Sequence, residues 1–297
     1  APYFEYFEYA DGGHGNNIDP NDLRRDFVCN TDFDNDGSAI TEDCDDFNAA
    51  INSTMTEIPD NGIDEDCSGA DLVTLTGTVV QLKVFLAGSY AGAATMNTDL
   101  NANNLLPNNQ PFNAVPWWYT GTETVASFPV NTVDWLLITV RDAENPATVL
   151  ETRAALLLAD GSVIAADGSS IGVTFDTIDN NAPCYITVHH RNHLAVISAD
   201  AVIVPNVVPY SFNEANNVWG GTVQLTDLLD GYYALKAGDF NGDGLLTVSD
   251  FNVYQYNLAQ INQYILGDLN LDGAVTVSDF NLYAPNASSI GISHIRY

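Results

Sequence analysis

Two twelve-residue stretches near the C-terminus repeat each other 29 positions apart, one starting at Asp239 and the other at Asp268. Oxygen-bearing side chains fall at positions 1, 3, 5, 9 and 12: Asp239, Asn241, Asp243, Thr247 and Asp250 in the first, Asp268, Asn270, Asp272, Thr276 and Asp279 in the second. Glycine stands at position 6 and an apolar residue at position 8. Glycine permits the sharp bend, and the residue at position 7 (Leu245, Ala274) offers its backbone carbonyl. A hard cation that takes six to eight oxygens needs a loop of this spacing to curl around it. The sequence therefore predicts two Ca2+ sites within 237–297.

The charge balance agrees. The chain of 297 residues carries 39 acidic against 8 basic side chains, a formal net charge of −31. Such a surface repels nucleic acid and anionic lipid, so neither is expected as a partner. With 46% hydrophobic residues the acidity does not signal disorder. Divalent cations are the natural counter-charge. No stretch of eighteen apolar residues exists, so no membrane-spanning helix is expected. The chain begins Ala1-Pro2 without a charged-then-apolar leader and reads as a mature secreted protein. Four cysteines (Cys29, Cys44, Cys67, Cys184) fit an oxidising, extracellular or cell-surface location with one or two disulfides. Cys44 and Cys67 sit within one Asp-rich stretch and are the expected pair.

Four regions follow. Residues 1–28 open with an aromatic strand containing Tyr3, Phe4, Tyr6, Phe7 and Tyr9, which ends at the Asp11-Gly-Gly-His-Gly joint. So many aromatics in so short a stretch need cover, either on their own domain or by pairing with a neighbouring copy. Residues 29–70 are Asp-rich with little hydrophobic periodicity, so metal and disulfide must hold them together. Asp32, Asp34, Asp36 and Gly37 again start a calcium loop, with the carbonyl of Ser38 at position 7 and Asp43 at position 12. Asp64 and Asp66 are expected to serve a second ion, giving one or two sites in 29–70. Residues 71–236 read as strands at regular spacing: Leu75–Val84, Trp135–Val140, Ala154–Leu158, Ser162–Ala165, Tyr185–Val188 and Ala195–Val204. Turn signals separate them, notably Asp160-Gly161. A mainly-β antiparallel sandwich is the expected fold, with Met96–Pro116 as a long surface loop. Residues 237–297 are expected to form paired loop–helix units, with helical segments Phe251–Leu258 and Phe280–Tyr283. Their expected core is Phe251, Tyr254, Tyr264, Ile265 and Phe280.

On these residues, Asp239–Tyr283 resembles dockerin domains, duplicated calcium loop–helix modules that dock onto cohesins. Val248-Ser249 and Val277-Ser278 replace the usual hydroxyl pairs and the helices lack Lys and Arg, so the resemblance implies calcium binding without cohesin recognition. Cys29–Gly69, with Asp-Cys-Asp-Asp and Asn-Gly-Ile-Asp-x-Asp-Cys-x-Gly, is similar to the Asp-rich metal-binding motif of MopE-type surface proteins and to thrombospondin type 3 repeats. Stretches such as Leu82-Lys-Val-Phe-Leu-Ala-Gly and His189-His-Arg-Asn-His-Leu-Ala resemble secreted surface proteins of Bacteroidetes that have no settled activity.

Other chemistry is thin. On one strand His189 and His193 would lie about 13 Å apart, so a shared metal requires a turn at Arg191-Asn192; otherwise they form a polar cluster near a sheet end. No Gly-x-Ser-x-Gly, P-loop, dinucleotide fingerprint or His-Glu-x-x-His sequence occurs, and no enzyme activity is expected. Trp117 and Trp118 could form a platform for surface glycans. The expectation is a secreted, calcium-binding structural protein that polymerises with itself into a filament or surface layer through its N-terminal strand. The alternative is a monomeric adhesin or carbohydrate-binding module.

Overall fold

The computed structural model describes residues 32–59, 61–71, 77–168 and 172–295. The chain divides into two compact units, 1–74 and 75–297. The aromatic strand Tyr3–Tyr9 and Cys29 lie outside the described residues.

Among its described residues the first unit has neither helix nor strand and buries no apolar side chain. Its buried residues are Ser38, Asp46, Asn52 and Glu65. Turns, the Cys44–Cys67 disulfide expected from the sequence, and the stacked rings of Phe33 and Phe47 hold its path. A unit so poor in hydrophobic burial needs an added crosslink or ion.

The second unit is mainly β. Its central antiparallel sheet runs, in spatial order, His193–Ile197, Pro183–His190, Thr132–Asp142, Val149–Leu158 and Val163–Ala165. Val202–Ile203 extends the edge beside Cys184. The expected runs around Trp135, Ala154 and Tyr185 lie inside these strands. Asp160-Gly161 makes the predicted hairpin turn, with Gly161 at φ 88° and the Asp160 carboxylate accepting from the Ser162 amide at 2.9 Å. A Cβ at Gly161 would also stand 2.9 Å from the carbonyl of Val84, so close backbone approach reinforces the need for glycine.

Both faces of this sheet are covered, which is why Thr132–Arg141 is buried at every position and Trp135–Ile138 is apolar without alternation. Leu136, Ile138 and Val140 join Ile186, Val188 and Val196 on one side. That core is completed by residues from short outlying strands, Val80, Leu82, Phe175 and Leu235 among them, and by Phe212 just past one of them. On the other side, Trp135 and Leu137 pack with Leu156, Phe112 and Val125. The Met96–Pro116 segment is thus not the surface loop its Asn and Pro content suggested. It holds a helical turn, α1 (Asp99–Ala102), and buries Leu100, Leu106 and Phe112; apolar anchors spaced among the polar residues pin it down.

The C-terminal repeat contributes helices α2 (Val248–Asn257) and α3 (Val277–Tyr283). Its core is Ala237, Phe240, Tyr254, Ile265, Leu269, Val275 and Tyr283, with Phe251 and Phe280 partly buried against it. Tyr264, expected in this core, turns instead toward the β-sheet, where its hydroxyl donates to Asp134 at 2.7 Å. There it meets a fully buried polar hub. The Arg191 guanidinium donates to Asp134 at 2.9 Å and to the carbonyl of Ile265, and lies 4.1 Å over the Tyr264 ring. Asn192 donates to the carbonyls of Leu266 (2.9 Å) and Asp268 (2.7 Å). His190 touches Asp134 at 3.1 Å and His193 at 3.0 Å. Burial opposes ionisation of Asp134, yet the Arg191 charge, helped by His190, outweighs it and holds the carboxyl at about 2.

His189 is buried, and desolvation followed by the Arg141 charge pushes it down to about 3. A folded-state value below the unfolded one means that the unfolded chain binds a proton that the folded chain refuses. Stability therefore falls as pH drops from about 6.5 toward 3. His190 and His193, lowered chiefly by burial, act in the same direction, and Asp134 adds its own loss below about pH 4. In saturating calcium, the unfolding free energy from urea titrations should fall on going from pH 7 to 4, and His189→Gln should make that slope shallower by up to about 1.4 kcal/mol per pH unit; an unchanged slope contradicts this. Asp134→Asn, which strands a buried guanidinium, should cost about 3–5 kcal/mol in urea unfolding.

Candidate metal centre

The C-terminal repeat is duplicated down to its hydrogen bonds. In each loop the position-1 carboxylate accepts from the glycine amide at position 6, Gly244 to Asp239 at 3.0 Å and Gly273 to Asp268 at 2.8 Å. The side chain at position 3 accepts from the amide at 5, and that at 5 from the amide at 7. The position-12 carboxylate reaches back to the amides of positions 2 and 3: Asp250 to Phe240 and Asn241, Asp279 to Leu269 and Asn270. The same carboxylates accept from Thr247 and Thr276, closing capping boxes at the starts of α2 and α3. Tyr254 donates to the Thr276 carbonyl while Tyr283 donates to that of Thr247. The two loop–helix halves of the repeat thus hold each other reciprocally.

These loops concentrate negative charge out of water. Burial, then the charge of Asp250, pushes Asp239 up to about 7, and its Oδ1 is buried without a hydrogen-bond partner. Burial pushes Asp268 up to about 7 against the pull of Arg191. Asp250 and Asp279 are raised too, chiefly by burial. Carboxylates this costly to ionise fit an arrangement whose missing charge is a cation.

The first unit repeats this pattern in shortened form. Gly37 donates to Asp32 (3.0 Å), Asp36 to Asp34 (3.2 Å) and Ser38 to Asp36 (2.7 Å), reproducing the 6-to-1, 5-to-3 and 7-to-5 bonds. Oδ1 of Asp32 and Oδ2 of Asp34 are buried and unpartnered. Asp43, expected at position 12, accepts from the Asp45 amide with Oδ1 at 2.9 Å, and its Oδ2 is buried without a hydrogen-bond partner. A second such half-loop starts at Asp64, which accepts from Gly69 at 2.9 Å, while Asp66 accepts from Ser68 at 2.9 Å. The amide of Asp66 donates to Glu57 at 3.0 Å. Asp32, Asp34 and Asp36 form one group of converging oxygens; Glu57, Asp64 and Asp66 form another. Sequence reasoning named Asp64 and Asp66 but missed Glu57, which precedes its loop and so has no place in a forward-reading template.

The remaining candidates separate. A turn does bring His190 and His193 together, but Asp134, Asn192 and the Gly88 amide take up their ring nitrogens. They belong to the hub. Trp117 packs edge-on against Phe112, whereas Trp118 is 67% exposed; the two rings do not make one platform.

A family model described as a putative metal-binding motif, of the copper-binding MopE type, matches residues 43–71, about a tenth of the chain. It takes in the Asp64 half-loop and the disulfide but begins after Asp36. No curated protein matches the chain. The motif and the two carboxylate groups identify a metal-binding module held by the Cys44–Cys67 disulfide.

Asp250→Asn and Asp279→Asn separate the cap from the ion. In chelator each should cost about 1 kcal/mol, the worth of a weakened cap. If the loops hold calcium, the wild type should gain about 4 kcal/mol per site with the ion at about a thousand times its Kd, and each variant should lose most of one such increment in differential scanning calorimetry. Equal losses with and without calcium contradict an ion in these loops.

Proposed function

We propose that the protein is an extracellular structural protein that binds calcium at four loops and assembles with its own copies into a filament or surface layer. The observation that carries the calcium reading is the hydrogen-bond pattern shared by the loops starting at Asp32, Asp64, Asp239 and Asp268. Every donor atom it presents is oxygen. The described part of the first unit has no histidine, and its two cysteines are joined to each other. Softer ions such as copper prefer nitrogen and sulfur, while calcium prefers carboxylate and carbonyl oxygen.

Assembly rests on the sequence of the first ten residues and on charge. An aromatic strand that bears Tyr3, Phe4, Tyr6, Phe7 and Tyr9 gains most by adding to the sheet edge of a neighbouring copy. At a net charge of −31 such copies repel one another unless cations neutralise them. The adhesin reading is favoured by one feature: Trp118 borders an open cleft of about 520 Å3 that Tyr119, Thr122 and Glu123 also line, a suitable stacking face for a sugar ring.

Electron microscopy of the purified protein should show ordered polymers in millimolar calcium that dissolve in excess chelator, and deletion of residues 1–10 should leave folded single particles. Single particles under every condition, with glycan-array binding lost in Trp118→Ala, would replace the polymer by the adhesin.

A further inference from the structure

The first unit raises a question that its twelve-residue template does not answer: what closes the loop that starts at Asp32. Among the bonds that the closing carboxylate accepts in both C-terminal loops is one from the position-2 amide. At Asp32 the position-2 amide belongs to Phe33, and it donates to Asp46 Oδ1 at 3.4 Å. Asp46 is 7% exposed, one of only four residues buried among the described part of a unit that buries nothing apolar, and its Oδ2 has no hydrogen-bond partner. A buried, unpaired carboxylate oxygen is costly unless a cation takes it; Asp43 Oδ2 shares that state, so what singles out Asp46 is the bond from Phe33 within the Asp32 loop.

The same neighbourhood supplies a substitute for a second missing part. In the C-terminal loops the amide side chains of Asn241 and Asn270 at position 3 donate to Asp243 and Asp272 at position 5. The first unit has Asp34 at position 3, which has no hydrogen to donate. Asn52, fully buried, donates to Asp36 in its place, and its own backbone amide donates to the carbonyl of Glu65 at 2.9 Å. Residues from beyond position 12 thus rebuild both the closing carboxylate and the internal donor.

We infer that Asp46, not Asp43, is the closing ligand of the first calcium site, which is therefore a composite of Asp32–Ser38 and the segment from Asp46 to Asn52. The inference rests on reading this module as a calcium site. It also means that the matched motif, which begins at residue 43, carries only part of this site.

Native mass spectrometry of the full chain in calcium chloride tests it. Asp46→Asn should bind one ion fewer than wild type and Asp43→Asn the full number. The reverse result overturns the assignment. If both variants keep the full number while Asp32→Asn loses an ion, the site stands but Asp46 is no ligand. If Asp32→Asn also changes nothing, the calcium reading of the module fails, and Asp46 with it. Carbodiimide–amine labelling of the unsubstituted chain gives an answer free of folding effects: calcium should protect Asp46 together with Asp32 and Asp34. Protection of Asp43 with Asp46 still labelled overturns the proposal.

Discussion

The buried pairing of Asp134 with Arg191 is the contact on which the second unit turns. Arg191 sits at the tip of the hairpin from Pro183–His190 to His193–Ile197, and Asp134 lies on the adjoining central strand. From that point the guanidinium and the neighbouring Asn192 reach the carbonyls of Ile265, Leu266 and Asp268, the chain that leads into the second C-terminal loop. A Cβ on Gly88 would lie 1.7 Å from the carbonyl of Leu269, so the same loop is seated directly on the sheet region. The loop–helix repeat is therefore braced by the sheet rather than appended to it. A buried ion pair does not by itself add much stability, because desolvation consumes most of its attraction. Its effect here is directional, since only one placement of the repeat satisfies Arg191, Asn192 and Tyr264 together.

The protein places carboxylates out of water in two ways, and they contrast. Asp134 receives a guanidinium, a tyrosine hydroxyl and a histidine, and its charge is stabilised. Asp239 and Asp268 receive backbone amides but too little positive charge, and both are pushed up to about 7. The first kind is complete within the chain; the second, on the proposed reading, is completed by an ion. The first unit takes this further, with a buried interior that is entirely polar among its described residues. Calcium there would replace the hydrophobic core that so small an Asp-rich segment cannot build.

Much of this was readable from the residues. Regular ligand spacing exposed the loops at Asp239, Asp268 and Asp32, because those interactions run between positions a few residues apart. Alternating and continuous apolar runs located the central strands, and the cysteines within one acidic stretch gave the disulfide. What escaped was non-local. Asp46, which accepts from Phe33, and Glu57, which accepts from Asp66, reach their half-loops from outside the template, one beyond it and one before it. The His189–His193 segment looked like a polar sheet end, yet it is buried because its partners, Asp134 and Tyr264, come from distant parts of the chain. Met96–Pro116 looked like a loop because a few buried apolar side chains among many Asn and Pro residues leave no periodic trace.

The central claim is that the acidic half-loops are calcium sites that stabilise the fold. Calcium-binding stoichiometry of the intact protein, measured by native mass spectrometry against copper and magnesium and repeated after chelation, tests it most directly. One calcium ion per acidic loop is expected, at Asp32, Asp64, Asp239 and Asp268, with copper unable to displace them. Uptake of copper in place of calcium, or no uptake of either, would contradict it.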